Sequence, residues 1–475
     1  MLLSPKKTKL VCTIGPASAA PEIMTQMIRA GMDVARINFS HGDFLGHQKV
    51  IEALRMVAQK AQQRLTVLAD LPGPKIRIGQ LANEPIELQP DEIFTLTSKE
   101  VVGDSHRVSV TFPRLPQVIK PGDTLFLNDG FIQLEALTIE KNEVRCRVLV
   151  GGELYSRKGL NLPGIDLGMS AFTGRDYECL KFALEHGVDA VSQSFVESAA
   201  DITAVRNAAA TLGYHPFIFA KIERARALDL LDGILEAADG IMIARGDLGV
   251  ELPIEQIAVI QKRIMLKANL MGKPVITATQ MLESMTTNRR PTRAEATDVA
   301  NAILDGTDSV MLSEESALGK FPVDAVAMLA KIAAATEPYR PRHYLRETLK
   351  GIDRSSTISP PDLIALSVEA TLERSSPAAV FVSTRSGVTA RSIARLRLPV
   401  WIIAVSPQEE TCQHLQFSYG VYPVHEPDYP EDWNSYIKKW LSYHGVLGNI
   451  AVLTEGPSPK HPEANNRMEI VDLQG

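Results

Sequence analysis

Along most of the chain, short uninterrupted apolar runs alternate with stretches whose apolar residues recur at helical spacing. Four runs share a small residue, an aspartate and an apolar stretch closing on polar residues. They are AGMDVARIN, HGVDAVSQS, AADGIMIAR and DGTDSVMLS, with Asp33, Asp189, Asp239 and Asp308. Each follows a segment of helical periodicity, such as PEIMTQMIRA or ECLKFALEH. Between them lie TKLVCTIG, LTVLAD, FIFAKIE and KPVITATQ, apolar runs without the aspartate. Interleaved, the two sets predict eight buried strands, most followed by a helix, the signature of parallel βα units. Eight such units close a (β/α)8 TIM barrel, an α/β fold. An open doubly wound sheet shares the local pattern, but no glycine-rich fingerprint follows the first strand.

The pattern breaks between about Pro72 and Gly168. There polar and apolar residues alternate, as in DTLFLNDGFIQLEALTIEKNEVRCRVLV, punctuated by PGD, NDG and KN turns. This predicts an all-β domain inserted after the third barrel strand. After TEPYRPRHY the barrel period ends, and DLIALSVEATLERSS, AAVFVSTRSG, TARSIARLR and VWIIAVS predict a separate α/β domain. The expected division is a barrel over 1–71 and 169–341, a β-barrel lid over 72–168, and a C-terminal α/β domain over 342–475.

Composition narrows the function classes. A chain of 475 residues exceeds what one core usually organises. A net charge of −6 gives no reason to expect nucleic acid or an acidic membrane as partner. Cys12, Cys146, Cys179 and Cys412 are scattered without metal spacing, as expected of reduced thiols. The start, MLLSPKKTKL, has no signal-peptide core, and no stretch is long enough to span a bilayer. The expectation is a cytoplasmic protein.

In barrels the chemistry sits at the C-terminal strand ends. Strand two ends in Arg36, Asn38, Ser40 and His41, strand three in Asp70, and strand four in Ser194. Strand five ends in Lys221 and Glu223, which share a face because the side-chain period of a strand is two. Two opposite charges closing a buried run are costly unless they pair or bind something. Strand six ends in Arg245 and Asp247, strand seven in Thr279, strand eight in Ser313 and Glu315. Glu223 and Asp247 suit a hard divalent cation. Arg36 and Lys221 suit a phosphoryl group. The combination points to phosphoryl transfer or enolate chemistry.

Each residue also has a plainer reading. Lys221 and Glu223 would serve equally as an internal ion pair, and Arg36 as the neutraliser of Asp70. Asp247 would cap a helix, Thr292 opens the capping box TRAE, and Asp129 in NDGF sits in a hairpin turn. His41 would be a loop hydrogen-bonder. These readings weaken because every polar cluster falls at the same end of its strand.

The strings CTIGPAS, ARINFSHG, GPKIR, KGLNLPG, AKIE, ARGDLGVELP, ATQMLESM and PTRAEATDVANAILDGTDSVMLS together resemble the pyruvate kinase family, of the bacterial type, over almost the full length. The resemblance implies a phosphotransferase that moves the phosphoryl group of phosphoenolpyruvate to ADP, giving pyruvate and ATP, on a barrel with a β lid and a C-terminal regulatory domain. It implies Glu223 and Asp247 as ligands of Mg2+ (or Mn2+), and Lys221 and Arg36 as the phosphoryl-binding cations. Backbone N–H groups at Gly246 and Asp247 would hold the carboxylate of pyruvate. Thr279 would lie near the enolate carbon, with Ser313 and Glu315 in a proton relay. Asn38, His41, Arg77, Asp129 and Lys158 would contact the nucleotide. A homotetramer is implied as well. The competing readings are a lyase or mutase barrel acting on phosphoenolpyruvate or oxaloacetate, which needs no nucleotide lid, and a catalytically silent sugar-phosphate sensor.

Departures from the family pattern are informative. Where many members read DTKGPEIR, this chain reads DLPGPKIR. The monovalent-cation set keeps Asn38, Ser40 and Asp70, but the threonine is Leu71 and the neighbouring glutamate is Lys75. An ammonium at Lys75 implies an enzyme that does not require K+. Glu314 stands where glycine or alanine is usual, which weakens the proton relay inferred for its neighbours. Arg226 stands where a small acidic or polar residue is usual. In the C-terminal domain, Thr384, Arg385, Ser386, Gly387 and Thr389 lie between a strand and a helix and suit an effector phosphate. The loop EGPSPKHPEANNRMEIV replaces the glycine-rich closing loop of some relatives, so the expected effector is a phosphorylated monosaccharide or a nucleotide.

Overall fold

The computed structural model describes residues 3–340, 359–456 and 465–474. The expected boundary at 341/342 and residues 457–464 of the segment EGPSPKHPEANNRMEIV lie outside the described residues.

Eight parallel strands form a closed barrel. In order they are Lys9–Thr13, Val34–Asn38, Thr66–Leu71, Ala190–Gln193, Phe217–Ile222, Gly240–Ala244, Val275–Ala278 and Ser309–Leu312. The last pairs with the first, with Leu10 against Val310, so the sheet has no free edge. Alternate residues separate two cores. Leu10, Cys12, Val67 and Ala69 face the surrounding helices, while Val11, Leu68, Phe219 and Met242 fill the barrel interior. Phe417 of the C-terminal domain plugs the barrel base, its ring 4.7 Å from that of Phe219.

The four repeated aspartates have one shared role. Each stands just before an even-numbered strand and accepts a backbone N–H from the odd-numbered strand before it. Asp33 accepts from Leu10 (2.8 Å), Asp189 from Val67 (2.7 Å), Asp239 from Ile218 (3.0 Å) and Asp308 from Val275 (3.0 Å). Lys6, Arg55, Arg206 and Arg397 respectively pair with these carboxylates. The repeat therefore ties off the base of the barrel and leaves the opposite rim for chemistry.

The inserted lid is a six-stranded sheet with a small two-stranded ribbon, and it contains one short helix, Leu115–Val118. Single bridges from Arg77 to Gly159 and from Ile78 to Val110 link its two edges. Both chain crossings into the lid are anchored. The Gly73 N–H donates to Asp176 at the start of helix Gly174–Glu185, and Gly73 has φ +65°, where an added Cβ would lie 2.8 Å from Phe195. On the return, Arg226 pairs with Asp166 (2.5 Å) and Arg224 donates to the Ile165 carbonyl (3.1 Å). The unusual Arg226 is thus a lid anchor.

The C-terminal domain is a five-stranded sheet ordered Val421–His425, Trp401–Ser406, Ala379–Ser383, Ile450–Glu455 and Arg467–Asp472. Four strands are parallel and the last is antiparallel. No helix among the described residues is long and apolar enough to cross a membrane.

Candidate active site

Period-two geometry brings the expected charges together on the inner face of the rim. Asp70 is buried and accepts from Arg36 Nε (2.9 Å) and Nη2 (2.5 Å) and from Ser192 Oγ (2.6 Å). Lys221 Nζ lies 3.4 Å from the same carboxylate, donates to Ser194 Oγ at 2.7 Å, and pairs with Glu223 Oε1 at 2.8 Å. The plainer reading of Arg36 as the partner of Asp70 is therefore what the geometry places, but Asp70 is shared by two cations. Burial alone would raise the Asp70 carboxyl; Lys221 and Arg36 outweigh it and hold the group below its ordinary range. Burial likewise opposes the Lys221 ammonium, and Asp70 and Glu223 outweigh it, leaving the lysine above its usual value and charged.

Glu223 is almost fully buried, and its second oxygen accepts the Phe195 N–H at 2.7 Å. Burial pushes its carboxyl up, Lys221 opposes this, and the charge on Asp247 adds to it. Asp247 stands in the first turn of helix Arg245–Glu251, which starts directly after strand six, so it does not cap the helix from outside. Arg36 and Lys221 against Asp70, Glu223 and Asp247 leave the cluster one charge negative. That electrostatic imbalance is one a divalent cation reverses.

Gly246 and Thr279 are in contact. The Gly246 N–H donates to Thr279 Oγ1 at 2.8 Å, and that hydroxyl donates to the Ala278 carbonyl at 2.6 Å. One of the N–H groups expected to face a carboxylate is thus held by Thr279 here. Thr279 has φ +68° and Gln280 φ +54°, a costly conformation for a β-branched residue. Arg245 maintains it, donating to the Ala278 and Thr279 carbonyls and pairing with Asp298. Arg245 is therefore a brace of this turn.

Glu315 accepts the Ser313 N–H (2.7 Å) and the Leu282 N–H (3.0 Å), tying together the loops after strands seven and eight. Both its oxygens are engaged by backbone, and burial raises its carboxyl. Glu314, the unusual neighbour, is exposed. Thr292 caps its helix through a capping box with Glu295, as its motif indicates.

The residues expected on the nucleotide side are held less tightly. Asn38 Oδ1 accepts the Ser40 N–H at 3.1 Å, closing the turn that carries His41. Burial, and then the charges of Arg77, Arg36 and Lys75, lower the His41 imidazole, so these cations act on the same ring. Arg77 Nη1 donates to the Arg157 carbonyl (2.9 Å), and the Lys158 carbonyl accepts from Ile78 (2.9 Å). Asp129 is exposed in a four-residue hairpin loop between Leu127 and Ile132, where Asn128 and Asp129 both have positive φ. Lys75 lies against the lid, its Cε 3.2 Å from where a Cβ on Gly159 would stand. Among the described residues it forms no ion pair with a carboxylate, and the oxygens of Asp70 are occupied by Arg36, Ser192 and Lys221.

In the C-terminal domain, Thr384 Oγ1 accepts the Gly387 N–H at 3.0 Å, and Gly387 has φ +78° before helix Val388–Ala394. Arg385, Ser386 and the half-buried Thr389 flank this turn, and Arg391 reaches back to the Ser386 carbonyl (3.1 Å). Thr384 thus serves the turn itself.

Two further groups stand on the rim, Ser192 and the Phe195 N–H. Alternation from Ser194 points to Ser192, but nothing in the sequence marks a backbone donor.

A profile of the pyruvate kinase barrel domain matches residues 5–326, and one of the pyruvate kinase alpha/beta domain matches residues 362–471. The chain is 49% identical over 426 residues to a pyruvate kinase of Thermococcus litoralis, covering 89% of each. It is 42% identical over 477 residues to one of Geobacillus stearothermophilus, covering 98% of this chain and 80% of that protein. A crystal structure of a pyruvate kinase from Cryptosporidium parvum superposes with a TM-score of 0.92 at 34% identity, over 99% of this chain and 96% of that one.

Proposed function

The chain belongs to the pyruvate kinase family and transfers the phosphoryl group of phosphoenolpyruvate to ADP, and on that premise we propose how its own residues carry the reaction. The observation that supports the assignment is the sharing of Asp70 by Arg36 and Lys221 beside the Glu223–Asp247 pair. The lyase, mutase and silent-sensor readings are not favoured.

Glu223 and Asp247 would hold the divalent cation, Mg2+ or Mn2+. Their fit rests on a buried carboxylate whose charge is disfavoured by its acidic neighbour and offset by one lysine alone. When bound, the metal supplies positive charge at the phosphoryl oxygens. Arg36 binds and orients the phosphoryl group from the other side, released in part from Asp70. Lys221 stabilises the charge as it moves from the ester oxygen to the transferred group, and then the enolate left behind. Its long 3.4 Å contact to Asp70 is the donor most readily redirected. Gly246 and Asp247 offer backbone N–H groups to the carboxylate once Thr279 gives up its bond to Gly246. Thr279 then stands where a proton must reach the enolate carbon. Glu315 and Ser313 position that loop, and Glu315 acts in the relay only by exchanging its backbone partners.

Asn38, His41 and Arg77 would contact ADP from the barrel rim and lid root, with Asp129 and Lys158 closing from the lid. Lys75 would supply the monovalent charge beside Asn38, Ser40 and Asp70, making K+ unnecessary. Its support is the charge it contributes around His41. The turn at 384–389 would take an effector phosphate through the exposed Arg385 and Ser386. We also place the enzyme as a cytoplasmic homotetramer, a reading that rests on the resemblance and that sedimentation tests. The deciding assay is ADP-dependent pyruvate formation with metal and K+ varied independently. Pyruvate released without ADP would restore the lyase reading.

A further inference from the structure

Arg224 and Glu251 take no part in the chemistry assigned above, yet each stands beside one of the two carboxylates read as metal ligands. Arg224 follows Glu223 directly in extended backbone (φ −113°, ψ 141°), so the two side chains leave the chain on opposite sides. Glu251 stands four residues after Asp247 in helix Arg245–Glu251, one turn on and on the same face. Both are 7% exposed, and they meet: Arg224 Nε lies 3.4 Å from Glu251 Oε1. The other Glu251 oxygen accepts the Ala225 N–H at 3.3 Å. An ion pair therefore joins the segment that carries Glu223 to the one that carries Asp247.

The guanidinium reaches further. Its Nη2 lies 3.4 Å from Glu197 and donates to the Ile165 carbonyl at 3.1 Å. Glu197 stands two residues beyond Phe195, whose N–H holds Glu223. One buried arginine thus touches three segments around the metal carboxylates. Stability alone is a weak explanation, because a buried ion pair often gains little over apolar packing. Here Arg224 Nε and Glu251 Oε1 each lack a hydrogen bond, so they meet as charges only. Burial raises the Glu251 carboxyl, and the Arg224 charge is the largest influence against it. A divalent cation supplies the missing reason. Its ligand oxygens must converge to about 2.1 Å for Mg2+, and here the carboxylates come from two separate segments.

We propose that Arg224 and Glu251 are positioning residues for the divalent cation, their pair fixing the spacing between Glu223 and Asp247. The proposal rests on the reading of those two carboxylates as the metal ligands.

Calorimetric titration of the full-length protein with Mn2+ alone tests it, because charge and position predict opposite signs. Arg224→Gln removes a positive charge beside Glu223, which by Coulomb attraction alone would tighten cation binding. Loss of a positioning residue should instead weaken Mn2+ binding about tenfold or more, as loss of an outer partner of a metal ligand does. Arg224→Lys keeps the charge but cannot span Glu251, Glu197 and Ile165 together. It should weaken binding in the same direction, and it keeps the test decisive if the glutamine variant folds poorly. Arg226→Gln removes an equal charge and a lid anchor that pairs with Asp166 and Glu197, not with Glu251. That variant should not weaken binding. Affinity unchanged or tightened by the Arg224 substitutions overturns the proposal, and so does equal weakening by Arg226→Gln. Asp247→Asn separates the two levels of the argument. If it leaves Mn2+ affinity unaltered, the metal reading itself fails; if it weakens binding and the Arg224 substitutions do not, only the positioning role fails.

Discussion

Lys221 Nζ lies 2.8 Å from Glu223 Oε1, which stands two residues on, just past the end of strand Phe217–Ile222. A two-residue period places both on the inner face, and a third contact, to Ser194 Oγ at 2.7 Å, holds the ammonium without adding charge. The lysine is thus a fixed, charged donor, whose solvation has been replaced by protein groups before substrate arrives. Lys221→Met should lower kcat about 10²–10³-fold, with a smaller change in the half-saturation for phosphoenolpyruvate. Steady-state kinetics at saturating metal measure it. A loss below tenfold would remove Lys221 from the chemical step.

Removing Glu223 tests the other half of the pair. Glu223→Gln keeps the shape and the hydrogen bond from Phe195 but removes a charge that the cluster offers to a cation. Metal binding followed by calorimetry should weaken at least about tenfold, as loss of even an outer partner does. Asp247→Asn should act in the same direction. Unchanged metal affinity in both would place the cation elsewhere.

The fold was legible because barrel strands are short apolar runs whose period and order survive in sequence. The repeated aspartates were visible too, but not their purpose. That purpose, catching an N–H from the preceding strand, needs the neighbouring strand in place. The rim residues were legible for the same reason as the strands, since Lys221 and Glu223 reveal their shared face by spacing alone. What stayed hidden depends on contacts distant in the chain. Ser192 looks like any strand serine until Asp70 lies opposite it. Glu315 reads as an acid by its type, yet its oxygens hold two loops. Arg226 shows as an oddity in sequence and becomes a lid anchor only when Asp166 returns beside it.

Lys75 invites a charge-reversal test. It sits at the lid root, where its charge reaches His41 together with those of Arg77 and Arg36. A unit charge acting over about 8 Å is worth about 2 kcal/mol at an effective dielectric of 20. Lys75→Glu should therefore lower activity in K+-free buffer by about 10–30-fold, and added K+ should restore most of it. The unaltered enzyme should respond little to K+. Equal stimulation of both proteins by K+ would remove Lys75 from the role of built-in cation.

His414 predicts how the joint between barrel and C-terminal domain responds to acid. Its ring packs 5.2 Å from Phe217 at the barrel base, with Asp239, Arg391 and the mostly exposed Glu410 around it. Burial lowers its imidazole to about 4; Asp239 opposes this and Arg391 reinforces it. In the unfolded chain the same group titrates near 6.5. Between those values the unfolded state binds more protons, so stability is full above about pH 6.5 and falls as pH drops towards 4. The shift corresponds to about 3 kcal/mol over the window. His414→Phe keeps a ring against Phe217 and removes the titration, so its denaturation midpoint should fall less than that of the unaltered protein between pH 7.5 and 4.5. The three tryptophans, Trp401, Trp433 and Trp440, all lie in the C-terminal domain and report its unfolding by fluorescence. An equal acid loss in the two proteins would assign the sensitivity to other groups, and a smaller loss in the variant would place it at this joint.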